Sequence, residues 1–186
     1  KTSAQRNKIS SLLAERAIKL EAAGADFLVM PCNTAHMFAD AIKKVISIPF
    51  LHIVEETVAE ISRYHSKKTT VGIMATSACL ESMIYQEGLV NANRNFIIPN
   101  ERIQKKCMQI IFSIKDGRDI KSMQNEMQQV AKHLIAMGAE IIIAGCTEIP
   151  LVITDNDISV PLISSTEVLA LKTIEFASGK KLKRIT

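Results

Sequence analysis

Two cysteines in matching sequence contexts are the residues of this 186-residue chain best suited to chemistry. Residues 24–33 read GADFLVMPCN and residues 138–147 read GAEIIIAGCT, so Cys32 and Cys146 occupy equivalent positions in two copies of one pattern. A thiolate is a good base as well as a nucleophile. Two thiols on opposite sides of one carbon atom can remove a proton from one face and deliver a proton to the other. The matched pair therefore predicts stereoinversion at a carbon atom.

The alternative for each cysteine taken singly is a buried structural thiol, because cysteine is among the most buried residue types. The other two cysteines, Cys79 and Cys107, show no C-x-x-C spacing with any neighbour, so no zinc ribbon or thioredoxin-type motif is indicated, and Cys107 is assigned to the core. His36 lies four residues after Cys32, as metal ligands on a helix do, but no further Cys or His pair completes a site. We therefore predict no metal site and expect His36 to help hold Cys32 as a thiolate.

Short apolar segments alternate with amphipathic segments along the whole chain. Strands are predicted at residues 27–30, 50–54, 70–74, 96–98, 141–144 and 160–163. Helices are predicted at residues 35–45, 55–64, 80–89, 101–115, 120–137 and 167–177, after a first helix that ends at Gly24. Continuous apolar strands between helices are typical of an α/β fold whose parallel sheets are covered on both faces.

The predicted elements place both cysteines where a ligand would bind. Each cysteine follows an apolar strand after a single Pro or Gly, and ligands of α/β proteins bind just beyond the carboxyl ends of parallel strands. Backbone N–H groups at the start of the next helix would favour a thiolate there. The sequence therefore predicts that Cys32 and Cys146 face one ligand from two sides.

Composition and charge exclude several classes of protein. No apolar run approaches the roughly 20 residues that a membrane helix needs, and the first eight residues are polar, so we expect a cytoplasmic protein without membrane partners. The net charge of +4 is mostly local, in a basic tail of residues 180–184. Aromatic residues make up 4% of the chain, there is no Trp, and no basic stretch is interleaved with stacking residues. We expect no nucleic-acid partner.

Two short motifs resemble the signatures of the cofactor-independent aspartate/glutamate racemases. Residues 31–36 read PCNTAH and residues 145–150 read GCTEIP. The resemblance covers essentially the whole chain and implies an α/β fold of two pseudo-symmetric lobes, with mostly parallel sheets flanked by helices and an active site in the cleft between them. The expected lobes are residues 1–67 plus 161–186 and residues 68–160. It also implies a homodimer in which Cys32 and Cys146 are catalytic, without pyridoxal phosphate or metal.

The resemblance implies substrate contacts at further positions. Asn33, Thr34 and Thr147 follow the two cysteines and are expected to hydrogen-bond the substrate's α-carboxylate or α-amino group. Thr76 resembles a strand-end threonine of the family that also contacts substrate. Lys115 matches a lysine that contacts the acidic side chain, where a compact positive charge suits a carboxylate. The alternative for Lys115 is a solvated lysine at a helix end, where the helix dipole favours it.

The chain also departs from the family pattern. Members normally begin with a strand, a Gly-Gly-x-Gly-Pro-type loop and an arginine for the distal carboxylate, whereas this chain starts at the first helix and is expected to lack them. Cys79, which we assign to the substrate site, stands where a second threonine is usual. Ser164 stands where an aspartate is common.

The sequence as a whole predicts a racemase that interconverts the L and D forms of aspartate or glutamate by a two-base proton transfer. Two alternatives stay open. One is a maleate isomerase or decarboxylase-like enzyme of the same superfamily, in which one cysteine attacks the substrate covalently. The other is a degenerate, non-catalytic binding protein, which the departures from the family pattern favour.

Overall fold

The computed structural model describes residues 3–117 and 120–179, and the basic tail of residues 180–184 lies outside them. Every strand pairing in these residues is parallel. The strands are β1 Leu28–Val29, β2 Phe50–Leu51, β3 Val71–Ala75, β4 Phe96–Ile97, β5 Ile141–Gly145 and β6 Leu162–Ser164. The helices are α1 Ser3–Ala22, α2 Ala39–Lys43, α3 Ile53–Tyr64, α4 Ser77–Glu81, α5 Ile84–Asn91, α6 Glu101–Lys115, α7 Ile120–Ala136 and α8 Ser165–Ser178. Parallel sheets flanked by helices confirm the predicted fold class.

The strands form two sheets of unequal size. The larger sheet has the order β4-β3-β5-β6, and β1 pairs with β2 in a smaller one. In the larger sheet Val71 pairs with Ile141 and Ala75 with Gly145, so β3 and β5 end level with each other. The residues that follow, Thr76 and Cys146, therefore leave the sheet side by side at the edge where ligands bind in such folds.

The larger sheet is buried on both faces, as its continuous apolar strands require. Helices α3, α5 and α8 cover one face, where fully buried residues such as Ile61 and Leu89 pack against β3 and β5. Helices α6 and α7 cover the other face through residues such as Ile111 and Leu134. Burial of each such side chain stabilises the fold by about 1.5–3 kcal/mol. The strands that lead to the site therefore have an apolar core on each face.

Three predicted elements differ from the structure near the site. The predicted helix at 80–89 is divided into α4 and α5, because Met83 adopts a left-handed conformation with φ of 60°. The predicted helix at 35–45 is a 3-10 turn over Thr34–Phe38 followed by the short α2. The predicted strand at 50–54 stops at Leu51, because His52 caps α3 and Ile53 already belongs to that helix. A short apolar run does not distinguish a buried strand from the start of a buried helix.

The division into lobes of residues 1–67 plus 161–186 and residues 68–160 stays a prediction. Strand β6 pairs with β5 in the larger sheet, with Ala144 opposite Ser164. Helix α3, assigned to the first lobe, shares one apolar core with β3 and β5. Within residues 3–117 and 120–179, no helix is both long enough and apolar enough to cross a membrane.

Candidate active site

Cys146, at the end of β5, donates a hydrogen bond from its thiol to a carboxylate. Its Sγ lies 2.8 Å from Oε2 of Glu148, which also accepts a 2.9 Å hydrogen bond from the Thr147 hydroxyl. The Lys115 ammonium lies 3.6 Å from the other carboxylate oxygen, Oε1. Burial, with the hydrogen bond to Glu148, raises the pKa of Cys146 to about 12. The thiol is therefore protonated here and has a proton acceptor in direct contact.

Glu148 is a candidate proton acceptor for Cys146, a role that sequence reasoning did not assign to it. Burial on its own raises the pKa of the Glu148 carboxyl, but the hydrogen bonds from Cys146 and Thr147 outweigh it, so that this pKa lies below its usual value. The 3-10 turn of Ile149–Leu151, with Pro150 near its start, turns the chain immediately after Glu148. The sequence signal for this role is the acidic residue two positions after the cysteine.

Cys32 lies three residues beyond β1, and it is exposed. Its carbonyl oxygen is 2.9 Å from Nδ1 of His36, and Nε2 of His36 accepts a 3.1 Å hydrogen bond from the backbone N–H of Ile53. Nδ1 must then carry the ring proton. Burial lowers the pKa of His36 to about 4, so the ring is neutral at pH 7. His36 therefore positions the Cys32 loop through the backbone and supplies no positive charge to a thiolate, contrary to our expectation.

Neither cysteine precedes an α-helix directly. Both are followed by 3-10 turns, Thr34–Phe38 and Ile149–Leu151. The backbone N–H of Cys32 itself bonds to the carbonyl of Met30 at 2.8 Å. A macrodipole requires aligned peptide units over several turns. The expected contribution of a helix N-terminus to thiolate formation is therefore small at both positions.

Two threonine hydroxyls connect the ends of the two sheets. Oγ1 of Thr34 and Oγ1 of Thr76 are 2.8 Å apart, and Thr76 also caps α4 by accepting a hydrogen bond from the backbone N–H of Cys79. Cys79 is fully buried, and burial together with the neighbouring Cys32 raises its pKa to about 12. The Cys32 loop is thus held against the end of β3.

Asn33 is buried and both polar atoms of its amide have partners. Oδ1 accepts a 2.5 Å hydrogen bond from the Tyr85 hydroxyl, and Nδ2 donates a 3.0 Å hydrogen bond to Oγ of Ser165. Ser165 in turn donates to the carbonyl oxygen of Ala144, two residues before Cys146. Of the Asn33 side chain, only the second amide hydrogen remains as a donor to a substrate.

The residues predicted for the site all belong to, or contact, the segments that follow β1, β3 and β5. They are Cys32, Asn33, Thr34, Thr76, Cys79, Lys115, Cys146 and Thr147. Lys115 reaches this region from the last residue of α6 through its contact with Glu148. Among the described residues, no group of three or more His, Cys, Asp or Glu side chains is arranged to hold a metal ion.

Comparisons with known proteins agree with the motifs. The sequence model of a family described as Asp/Glu/Hydantoin racemase matches residues 1–173. The broad specificity amino-acid racemase RacX of Bacillus subtilis (strain 168) is 33% identical over 168 residues, which are 90% of this chain and 72% of that protein. The structure of an aspartate racemase homologue from Pyrococcus horikoshii OT3 superposes with a TM-score of 0.78 at 28% identity, over 91% of this chain and 74% of that one. The structure of the Picrophilus torridus aspartate racemase superposes with a TM-score of 0.70 at 28% identity, over 89% of this chain and 67% of that one.

Proposed function

The chain belongs to the Asp/Glu/Hydantoin racemase family, and on this premise we propose that it interconverts the L and D forms of an amino acid with Cys32 and Cys146 as the two bases. The observation that carries the proposal is the hydrogen bond from the Cys146 thiol to Glu148. It supplies what a thiol base needs, an acceptor for the proton that must leave before the sulfur can attack a C–H bond. The matched position of Cys32 beyond β1 supplies the second thiol.

The proton inventory of one turnover balances without a cofactor. Cys146 passes its proton to Glu148, and the resulting thiolate removes the α-proton from one face of the substrate. The Cys32 thiol then protonates the opposite face and is left as a thiolate. Turnover of the opposite enantiomer runs the same transfers backwards, with Cys32 as the base. Exchange of protons with solvent interconverts the starting form and the form with a Cys32 thiolate and a protonated Glu148, so either enantiomer can begin a turnover.

We propose an acidic amino acid, aspartate or glutamate, as the substrate. Lys115 has nearly half of its side chain exposed, and its 3.6 Å contact with Glu148 leaves ammonium hydrogens for a second carboxylate. The hydroxyls of Thr34 and Thr147 follow the two cysteines and suit the α-carboxylate and α-amino groups, and Thr76 beyond β3 supplies a further substrate contact. Cys79, which is buried within electrostatic reach of Cys32, completes the set of residues that we assign to the site.

The family resemblance also leads us to propose a homodimer in the cytoplasm, with a small-molecule amino acid and neither nucleic acid nor membrane as its partner. Analytical ultracentrifugation over a range of concentrations tests the dimer. A monomer at micromolar concentration would contradict it.

A chiral assay in deuterium oxide tests the racemase. We expect both enantiomers of aspartate or glutamate to invert, with deuterium at the α-carbon of the product. Cys32→Ala and Cys146→Ala should each abolish inversion, because each turnover needs one acceptor and one donor. Cys107→Ala, which alters a buried cysteine on α6, serves as the matched control and should remain active. Wild-type inversion rates in Cys146→Ala would exclude the two-thiol mechanism.

The different surroundings of the two cysteines favour one second candidate. Cys32 is exposed, whereas Cys146 is buried with a raised pKa. A single accessible nucleophile is what a maleate isomerase or decarboxylase-like reaction requires. That candidate predicts a covalent substrate adduct on Cys32, visible as a mass increase of the intact protein with maleate, and no inversion of amino acids.

A further inference from the structure

A buried polar cluster lies behind the two cysteines, and the proposed proton transfers do not use it. Its centre is Tyr85 on α5, whose side chain has no exposed surface. Burial raises the pKa of the Tyr85 hydroxyl above its usual value, and hydrogen bonds with Ser165 and Thr57 act in the opposite direction. The hydroxyl also lies within electrostatic reach of Cys79 and Cys146. It therefore stays protonated and acts as a hydrogen-bond donor.

Tyr85 contacts the chain neighbour of each cysteine. Its hydroxyl donates the 2.5 Å hydrogen bond to Oδ1 of Asn33, which follows Cys32. Its ring lies against Gly145, which precedes Cys146: a Cβ atom at position 145 would be 3.1 Å from Cε2 of Tyr85. That distance is shorter than ordinary van der Waals contact, so a Cβ atom at position 145 would push the ring back by a few tenths of an ångström. One side chain thus lies between the two cysteine loops and contacts both.

Ser165 forms a second connection between the same loops. Its Oγ accepts the hydrogen bond from Nδ2 of Asn33 and donates a 2.9 Å hydrogen bond to the carbonyl of Ala144. Ser165 can reach the Ala144 carbonyl because Ser164 of β6 pairs with Ala144, and Ser165 is the next residue after Ser164. Hydrogen bonds therefore lead from the residue after Cys32 to the strand that ends at Cys146.

Because the cluster is buried, its hydrogen-bond geometry is tightly constrained. An unpaired polar group in such a place costs about 1–3 kcal/mol, so the cluster has one strongly favoured arrangement. Transfer of a proton between sulfur and carbon depends on placement to within about 0.5 Å. A frame that fixes the two loops relative to each other therefore acts directly on the two-base reaction.

We propose that Tyr85 is a positioning residue that sets the separation of the two cysteine loops, with Asn33 and Ser165 completing the frame. This inference rests on the proposed racemisation. Asn33 then serves the frame with its carbonyl oxygen and one amide hydrogen, which leaves the other hydrogen as the side chain's donor to a substrate.

The test compares two rates in deuterium oxide, starting from one enantiomer. One is the formation of the opposite enantiomer, which needs both thiols in place. The other is α-deuteration of the recovered starting enantiomer, which needs only the thiol on its own side. Tyr85→Phe keeps the ring against Gly145 and removes the hydroxyl. We expect inversion to fall about tenfold more than α-deuteration, since a displaced partner thiol misses the opposite face.

A matched control and a second variant complete the design. Tyr64→Phe removes a hydroxyl from the only other tyrosine of the chain, which is exposed at the end of α3, and should change neither rate. Ser165→Ala breaks the second connection and should shift the ratio in the same direction as Tyr85→Phe. Ser165→Ala also serves if Tyr85→Phe does not fold.

Two results would overturn the inference. If a folded Tyr85→Phe protein lost inversion and α-deuteration by the same factor, or lost neither, the hydroxyl would not position one loop against the other. If the wild-type protein inverted no amino acid, the proposed function would fail separately. The rate at which iodoacetamide alkylates the exposed Cys32 would then decide: a clear change in Tyr85→Phe supports the frame, and an unchanged rate contradicts it.

Discussion

The thiol of Cys146 and the carboxylate of Glu148 are in hydrogen-bond contact, 2.8 Å apart, although the carboxylate belongs to a residue only two positions further along the chain. A 3-10 segment begins immediately after Glu148. Thr147 and Lys115 hold the same carboxylate from other directions. Glu148, held in this way, is the group that we propose accepts the proton of Cys146.

Glu148→Gln should reduce racemisation strongly while preserving the fold. Glutamine keeps the size of the side chain but cannot accept the thiol proton, and general-base catalysis is typically worth about 10²–10⁴-fold. We expect kcat to fall by about 100-fold or more in both directions, with a small change in KM. Glu15→Gln, which removes an exposed carboxylate on α1, is the control. A kcat within about twofold of wild type would show that Cys146 ionises without Glu148.

Lys115→Ala should discriminate between acidic and neutral substrates. Loss of a hydrogen bond to a charged group is typically worth about 1.5–3 kcal/mol, so KM for aspartate or glutamate should rise roughly 10-fold or more. Neutral amino acids should be affected much less. Lys106→Ala is the matched control, because Lys106 is on the same helix and pairs instead with Glu126. Equal losses for acidic and neutral substrates would indicate that Lys115 acts only through Glu148.

Much of the scaffold follows from local sequence. The strands at 71–75 and 141–145 are continuous apolar runs rich in β-branched residues, and such runs predict buried parallel strands. Gly24 adopts positive φ just beyond α1, where the first helix was predicted to end. The repeat that contains the two cysteines placed both at strand ends, as the structure shows for Cys146 directly.

The rest of the site depends on long-range contacts and on conformations without a sequence signal. Tyr85 forms a hydrogen bond with Asn33, 52 residues away in sequence, and Asn33 forms one with Ser165, 132 residues away. Tyr85 and Ser165, read alone, resemble ordinary core or loop residues, and the sequence assigned Asn33 a contact with the substrate only. Met83 breaks a helix with a left-handed backbone that sequence patterns assign mainly to glycine and asparagine. Such features arise from packing of the whole fold rather than from local preference.

Alkylation should separate the four cysteines sharply. Thiolates are the reactive species, and burial raises the pKa values of Cys79, Cys107 and Cys146 to about 12. Cys32 is exposed, so iodoacetamide at pH 7.5 should modify Cys32 first and inactivate the enzyme in parallel. Peptide mass spectrometry after timed quenching measures this order. Modification of Cys107 before Cys32 would show that α6 opens more readily than its burial indicates.

Stability should fall as the pH drops from about 6.5 to about 4 because of His36. Burial lowers its pKa from 6.5 to about 4 in the folded protein, so the unfolded chain binds a proton in this window and the folded chain does not. The neutral ring's contribution is therefore fully present above pH 6.5. It declines by up to about 1.4 kcal/mol per pH unit, a loss on the order of 3 kcal/mol by pH 4.

Urea unfolding of His36→Gln, whose amide can still donate to Cys32 and accept from Ile53, should show a flatter pH dependence. His52, whose pKa burial also lowers, leaves a remaining slope of the same sign in both proteins. Identical slopes for the variant and the wild type would show that His36 does not remain neutral in the folded state.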